Sequence, residues 1–214
     1  LSDPAFEAKV TNLGLLPPGQ TLEQQVSKQT YSLLQQKVSE LGLQVEIFNQ
    51  FKPWLCALTL TSMELQRLGF NPNYGIDMHF FDRAKQDGKE MRFLETTDDQ
   101  LGLFTAMSKQ EEDSFLAKVL EELDTMRVKI IEMINAWKSG DSDKLASMVK
   151  MEFEGYPEVY AKMLVERNQK WVKHIEDLSG QDGNSLVVVG AAHLVGDDSI
   201  LKLLKKKGFE VEQR

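Results

Sequence analysis

Four apolar residues in a row, Leu186, Val187, Val188 and Val189, stopped by Gly190, set the tightest limit on what this chain can fold into. The run reads as a short buried strand. Beyond the turn, which contains His193, Gly196 and Asp197, Ile200, Leu201, Leu203 and Leu204 recur at helical spacing in "SILKLLKKKGFEVEQ". The order is therefore strand, tight turn, helix and terminal strand. In open α/β sheets such a turn lies at the carboxyl end of the strand, where ligands bind.

Most of the remaining text is helical. "TLEQQVSKQTYSLLQQKVSELGL" opens on a cap-like Thr21, carries Leu22, Val26, Leu33, Leu34, Val38 and Leu41 on one stripe and stops at Gly42, which predicts a single amphipathic helix. Pro53 reads as a first-turn residue of a helix closed by Gly69. "GIDMHFFDRAKQDG" predicts a helix closed by Gly88, and "KEMRFLETTDDQ" predicts a short strand and then a capped helix start. Gln110 to Trp137 predicts one long charged helix, restarted after "KSG" with Asp141 or Ser142 as the cap. A further helix runs from near Pro157 to Gly180. Few strands and many helices imply a helix-rich α/β fold, with a small, mostly parallel sheet flanked by helices.

A net charge of −8 argues against a nucleic-acid partner, which calls for a basic patch or stripe. "LKKKG" is the cationic end of a helix, where lysines favour the macrodipole. No run of about 18 apolar residues would span a membrane. Cys56 is the one cysteine, so the chain has neither an internal disulfide framework nor a cysteine-based zinc site. The start, "LSDPAFEAKV", has no initiator Met and no signal-like segment, which suggests a processed or trimmed chain.

Three histidines are present, and two look solvated: His79 aligns with Asp82, Arg83 and Gln86, and His174 borders Asp177 and Lys170. His193, in Gly190-Ala-Ala-His193, follows the strand directly, where imidazole suits metal ligation or proton transfer. The plainer alternative is a turn histidine bonded to a backbone carbonyl. Glu95 shares a strand face with Met91 and Phe93, so a carboxylate replaces an apolar residue where that strand ends. It would meet His193 at one sheet edge if the strands are parallel neighbours, or else simply lead into the next helix as a near-cap acid. Arg167 occupies the apolar stripe of Val159, Met163, Trp171, Ile175 and Leu178, and so needs an anionic partner or a route to water. Glu95 or Asp77 could supply the partner, and a buried salt bridge without chemistry would satisfy the same pattern. Asp77 aligns with Phe80, Phe81 and Ala84, the expected apolar side of its helix.

An ordered series of segments resembles the TraB/GumN family, relatives of the Tiki metalloproteases and more distantly of the erythromycin esterase and ChaN-like group. The series is "LLPPGQTLEQQVS", "FKPWLCALTL", "GIDMHFFDRAKQDGKEMRFLETTDDQL", "YPEVYAKMLVERNQKW" and "VVVGAAHLVGDDSILKLLKKKGFEVE". The family pattern has two Gly-x-x-His elements, an acid after the first and a late Arg. Gly190 to His193 matches the second element, Arg167 the arginine, and Glu95 and Asp77 acidic positions. The first element and the acid following it are absent. The resemblance implies a single domain over 1–214 lacking its N-terminal Gly-x-x-His segment, with the first strand-helix unit missing.

It further implies a metal-dependent, peptidase-like hydrolase in the full-length form, using manganese, cobalt or zinc on a peptide or protein substrate, with this fragment inactive. His193 would be a metal ligand or proton-transfer group, Glu95 an acid–base or positioning carboxylate, and Arg167 an electrostatic stabiliser. Asp77 would be a candidate ligand, and Gly190 and Gly196 would shape the turn. The rival readings are a non-catalytic peptide- or signal-binding protein and a haem or iron binder. A periplasmic or envelope location follows from the resemblance alone.

Overall fold

Side-chain caps and glycines cut the chain into helices, and the computed structural model describes residues 4–213. In chain order the helices are α1 Pro4–Gly14, α2 Leu22–Gln25, α3 Lys28–Glu40, α4 Pro53–Arg67, α5 Ile76–Gln86 and α6 Thr97–Thr105. They continue with α7 Lys109–Glu122, α8 Met126–Ser139, α9 Ser142–Glu152, α10 Pro157–Tyr160, α11 Glu166–Ser179 and α12 Ile200–Lys206. Pro53 sits in the first turn of α4, where its missing N–H costs nothing. Thr96 and Asp99 form a reciprocal capping box at α6, as do Ser108 and Glu111 at α7. Asp141 rather than Ser142 caps α9, accepting from the Lys144 N–H at 2.9 Å.

The helix predicted from Thr21 breaks into two. Val26 is extended, and Ser27 caps α3 by accepting from the Thr30 N–H at 3.1 Å, while the Ser27 N–H donates to Asp113 at 3.0 Å. The long helix predicted from Gln110 to Trp137 also breaks, at Leu123–Thr125. There Lys37 Nζ meets Asp124 Oδ2 at 2.6 Å and Glu40 Oε2 at 3.3 Å. The Asp124 hydrogen bond holds the Lys37 ammonium above its usual range.

The predicted α/β architecture is corrected: among the described residues no strand or sheet forms, and the one β-type contact is an isolated antiparallel bridge between Leu15 and Phe51. Leu186–Val189 alternates in burial, with Val187 and Val189 half-buried and Leu186 and Val188 exposed, as a strand would. What it lacks is a partner, since a strand exists only as part of a ladder. Its backbone groups take no backbone partner among the described residues, and Leu186 stays 70% exposed. The segment before Glu95 behaves alike, with Phe93 74% exposed. Residues 209–212 alternate in burial in the same way, and among the described residues they belong to no strand.

Two compact units result: one runs to Gly75 and adds Glu95–Arg127, and the other joins Ile76–Leu94 to the chain from Val128 onward. In the first, α3 and α4 both pack on α7 around Leu34, Val38, Leu60, Leu116 and Leu120. In the second, α11 packs on α12 around Trp171, Val172, Ile200 and Leu204, with Leu94, Val189, Phe209 and Val211 closing over them. Among the described residues no helix is long and apolar enough to cross a membrane.

Candidate functional site

One helical stretch positions most of the candidate site. It starts at Pro157, passes through a π-helical turn at Ala161–Val165 and continues as α11. A π turn inserts an extra residue into the helix and is frequent at functional sites. From within that turn onward the buried stripe runs Leu164, Asn168, Trp171 and Val172. Arg167 therefore flanks the stripe instead of centring it. Its Nη1 donates to the Met163 carbonyl at 2.9 Å, and its guanidinium carbon stands 4.7 Å from the centroid of the Trp171 ring, a cation–π distance.

The segment after Val189 delivers His193 to the same indole. A single 3-10 turn over Ala191–His193 closes with the His193 N–H donating to the Gly190 carbonyl at 3.0 Å. The ring is buried, at 7% exposure, with its centroid 4.4 Å from that of Trp171 and a tilt of 45°. Its Nδ1 lies 2.7 Å from Asn168 Oδ1, and Asn168 is 1% exposed. Asn168 Nδ2 in turn donates to the Asp198 carbonyl at 2.8 Å, and the Tyr160 hydroxyl donates to Asp198 Oδ2 at 3.1 Å. Burial first, and then the Asp198 and Asp197 charges, push the Tyr160 hydroxyl above its usual range. Ser199, which follows Asp198, caps α12 and holds this corner in place.

The two turn glycines differ. Gly196 has φ +83°, a left-handed conformation that favours glycine, whereas Gly190 has an ordinary φ of −59°. A Cβ at Gly190 would lie 3.7 Å from His193 Cδ2, an ordinary contact.

Of the four predicted site residues, His193 and Arg167 come together on Trp171. Asp77 is exposed in the first turn of α5, whose half-buried face is instead Met78, Phe81 and Ala84. Glu95 belongs to the first unit and is half-buried in the bend before Thr96. His79 and His174 are exposed, as their neighbours in sequence predict. Asn168, Tyr160 and Asp198 are the residues that sequence reasoning missed. The available signal was a polar residue four positions from both Leu164 and Val172, on the buried stripe. Among the described residues no group of three or more His, Cys, Asp and Glu side chains gathers to hold a metal ion. An apolar hollow of about 450 Å³ beside Trp54 and Phe104 lies in the first unit, and its described lining carries no ionisable side chain.

The model of the TraB/PrgY/gumN family matches residues 1–213, through both units. The chain belongs to the TraB/PrgY/gumN family. This family member is similar to "Uncharacterized protein YbaP" of Escherichia coli (strain K12), 26% identical over 193 residues, which span 89% of this chain and 70% of the relative. The same identity and coverage hold for "Uncharacterized protein YbaP" of Shigella flexneri. No solved structure matches this TraB/PrgY/gumN chain.

Proposed function

We propose that the chain contributes to hydrolysis of peptide bonds, with His193 as the proton-transfer group and Arg167 as the electrostatic stabiliser. The observation that carries this reading is the meeting of a buried imidazole and a permanently charged guanidinium on the Trp171 indole. Imidazole exchanges protons near neutral pH, and a fixed cation favours the oxyanion that forms when water attacks a carbonyl. In the proposed step His193 takes a proton from water as the water oxygen bonds to the carbonyl carbon. Arg167 stabilises the resulting negative oxygen, and the proton passes to the departing amine as the carbon–nitrogen bond breaks.

A divalent ion takes three or four donors, and the described residues offer His193 as a single imidazole without a gathered set. They do not by themselves fit a complete metal centre, so no step is routed through an ion. A polypeptide as the ligand class is supported by the Leu186–Val189 run, whose backbone groups take no backbone partner among the described residues and which leads straight to His193. That run equally favours a second reading, peptide binding without turnover.

A peptide-library hydrolysis screen, with and without added manganese, cobalt or zinc, separates the two readings. Turnover that disappears in a folded His193→Ala variant supports the hydrolytic one. Turnover retained in that variant refutes it, and binding with no turnover under any condition moves the assignment to a binding protein.

A further inference from the structure

We propose that Asn168 is a positioning residue that sets the tautomer of His193, by holding the ring in its Nδ1–H form. A side-chain amide has a donating end and an accepting end, and the neighbours decide which is which. Here Nδ2 lies 2.8 Å from the Asp198 carbonyl oxygen, which can only accept. Turning the amide over would set two carbonyl oxygens against each other at that distance. The orientation that remains presents Oδ1, an acceptor, to His193 Nδ1 at 2.7 Å, so Nδ1 carries the hydrogen. A neutral imidazole has one N–H, which puts the lone pair on Nε2.

Both side chains are buried, so bulk water does not substitute for either partner. The anchor itself is fixed, since Asp198 immediately precedes the α12 cap and its carboxylate accepts from Tyr160. A ring whose Nδ1–H is committed to an oxygen carries its basic lone pair on Nε2, the tautomer in which histidine either ligates a metal or takes a proton through that atom. The inference rests on the reading of His193 as the working histidine, and it names the residue that makes that ring ready.

The test is a long-range proton–nitrogen correlation spectrum of the histidine-labelled chain, taken where the rings are neutral, with exposed His79 and His174 as internal references. His193 is expected in the Nδ1–H form by about tenfold or more, the ratio that one buried, unsatisfied acceptor imposes. An Nε2–H ring in the unaltered protein overturns the proposal directly. Asn168→Ala removes the acceptor with a side chain that fits the same space, and is expected to lower the Nδ1–H excess. Asn168→Leu removes the acceptor and is expected to lower the excess about tenfold. An unchanged excess in the folded Leu variant overturns the proposal, and if that variant does not fold, an unchanged excess in the Ala variant does so. The tautomer is read without turnover, so a failed hydrolysis screen refutes the proposed function while this result stands or falls by itself.

Discussion

Replacing Trp171 with phenylalanine is expected to cost little, although the residue is only 5% exposed and sits at the centre of the second core. Truncation to alanine at such a site costs about 3–5 kcal/mol. Phenylalanine keeps one six-membered ring and loses roughly three buried heavy atoms, or about 2 kcal/mol at ~0.8 kcal/mol per buried carbon. It also removes the indole Nε1–H, which is buried with no hydrogen-bond partner among the described residues. A donor in that state costs about 1–3 kcal/mol. The two effects offset, leaving a net change of about 1 kcal/mol or less in either direction. Trp54 in the first unit is a twin case: it is 0% exposed, its Nε1 also lacks a partner, and its ring stacks on Phe104 at 5.5 Å. Urea unfolding followed by far-ultraviolet circular dichroism, compared at unchanged m-value, measures both substitutions. A loss of about 3 kcal/mol or more for Trp171→Phe would show that the indole N–H has an acceptor and that the reasoning is wrong.

The two turn glycines offer a paired test by thermal unfolding. Gly196→Ala, at φ +83°, is expected to cost about 1–2 kcal/mol, whereas Gly190→Ala, at φ −59°, should stay within about 0.5 kcal/mol. Equal losses at the two positions would refute that distinction. Burial pushes the Cys56 thiol from 9.0 up to about 12. Below pH 9.0 both folded and unfolded chains keep the thiol protonated and its burial contributes in full. Above that the unfolded chain ionises first, and up to about 4 kcal/mol of stability drains away as pH rises towards the folded value. At pH near 8 a disulfide dye should therefore label the native thiol far more slowly than the urea-unfolded one, and equal rates would sink the argument.

Helix identity was legible in the sequence because it depends on local chemistry. Pro53, Asp141 and the Thr96–Asp99 pair act within a few residues of themselves, and each sits where its type predicts. The breaks at Val26 and at Leu123–Thr125 were not legible, because apolar spacing continues across them. In the folded chain Ser27 and Asp124 are held by Asp113 and Lys37, both more than eighty residues distant in sequence. The predicted strands failed for the opposite reason. Leu186–Val189 has the alternation of a strand, but pairing belongs to two segments together, and one segment's pattern carries no information about its neighbour.

The site divides along the same line. His193 stood out because imidazole after an apolar run and a glycine is unusual, and Arg167 because a fixed charge near an apolar stripe demands an explanation. Asn168 is neither charged nor rare, and the π turn at Ala161–Val165 shifts the helical register by one residue just upstream of it. Counting at regular helical spacing from Val159 leads to Arg167 as the inward residue. Counting with the inserted residue leads to Asn168, which the structure buries at 1% exposure against His193. Restoring a regular helix by deleting one residue of that turn would turn Asn168 away from the imidazole. The Nδ1–H form of His193 is then expected to disappear even though every side chain in the network remains.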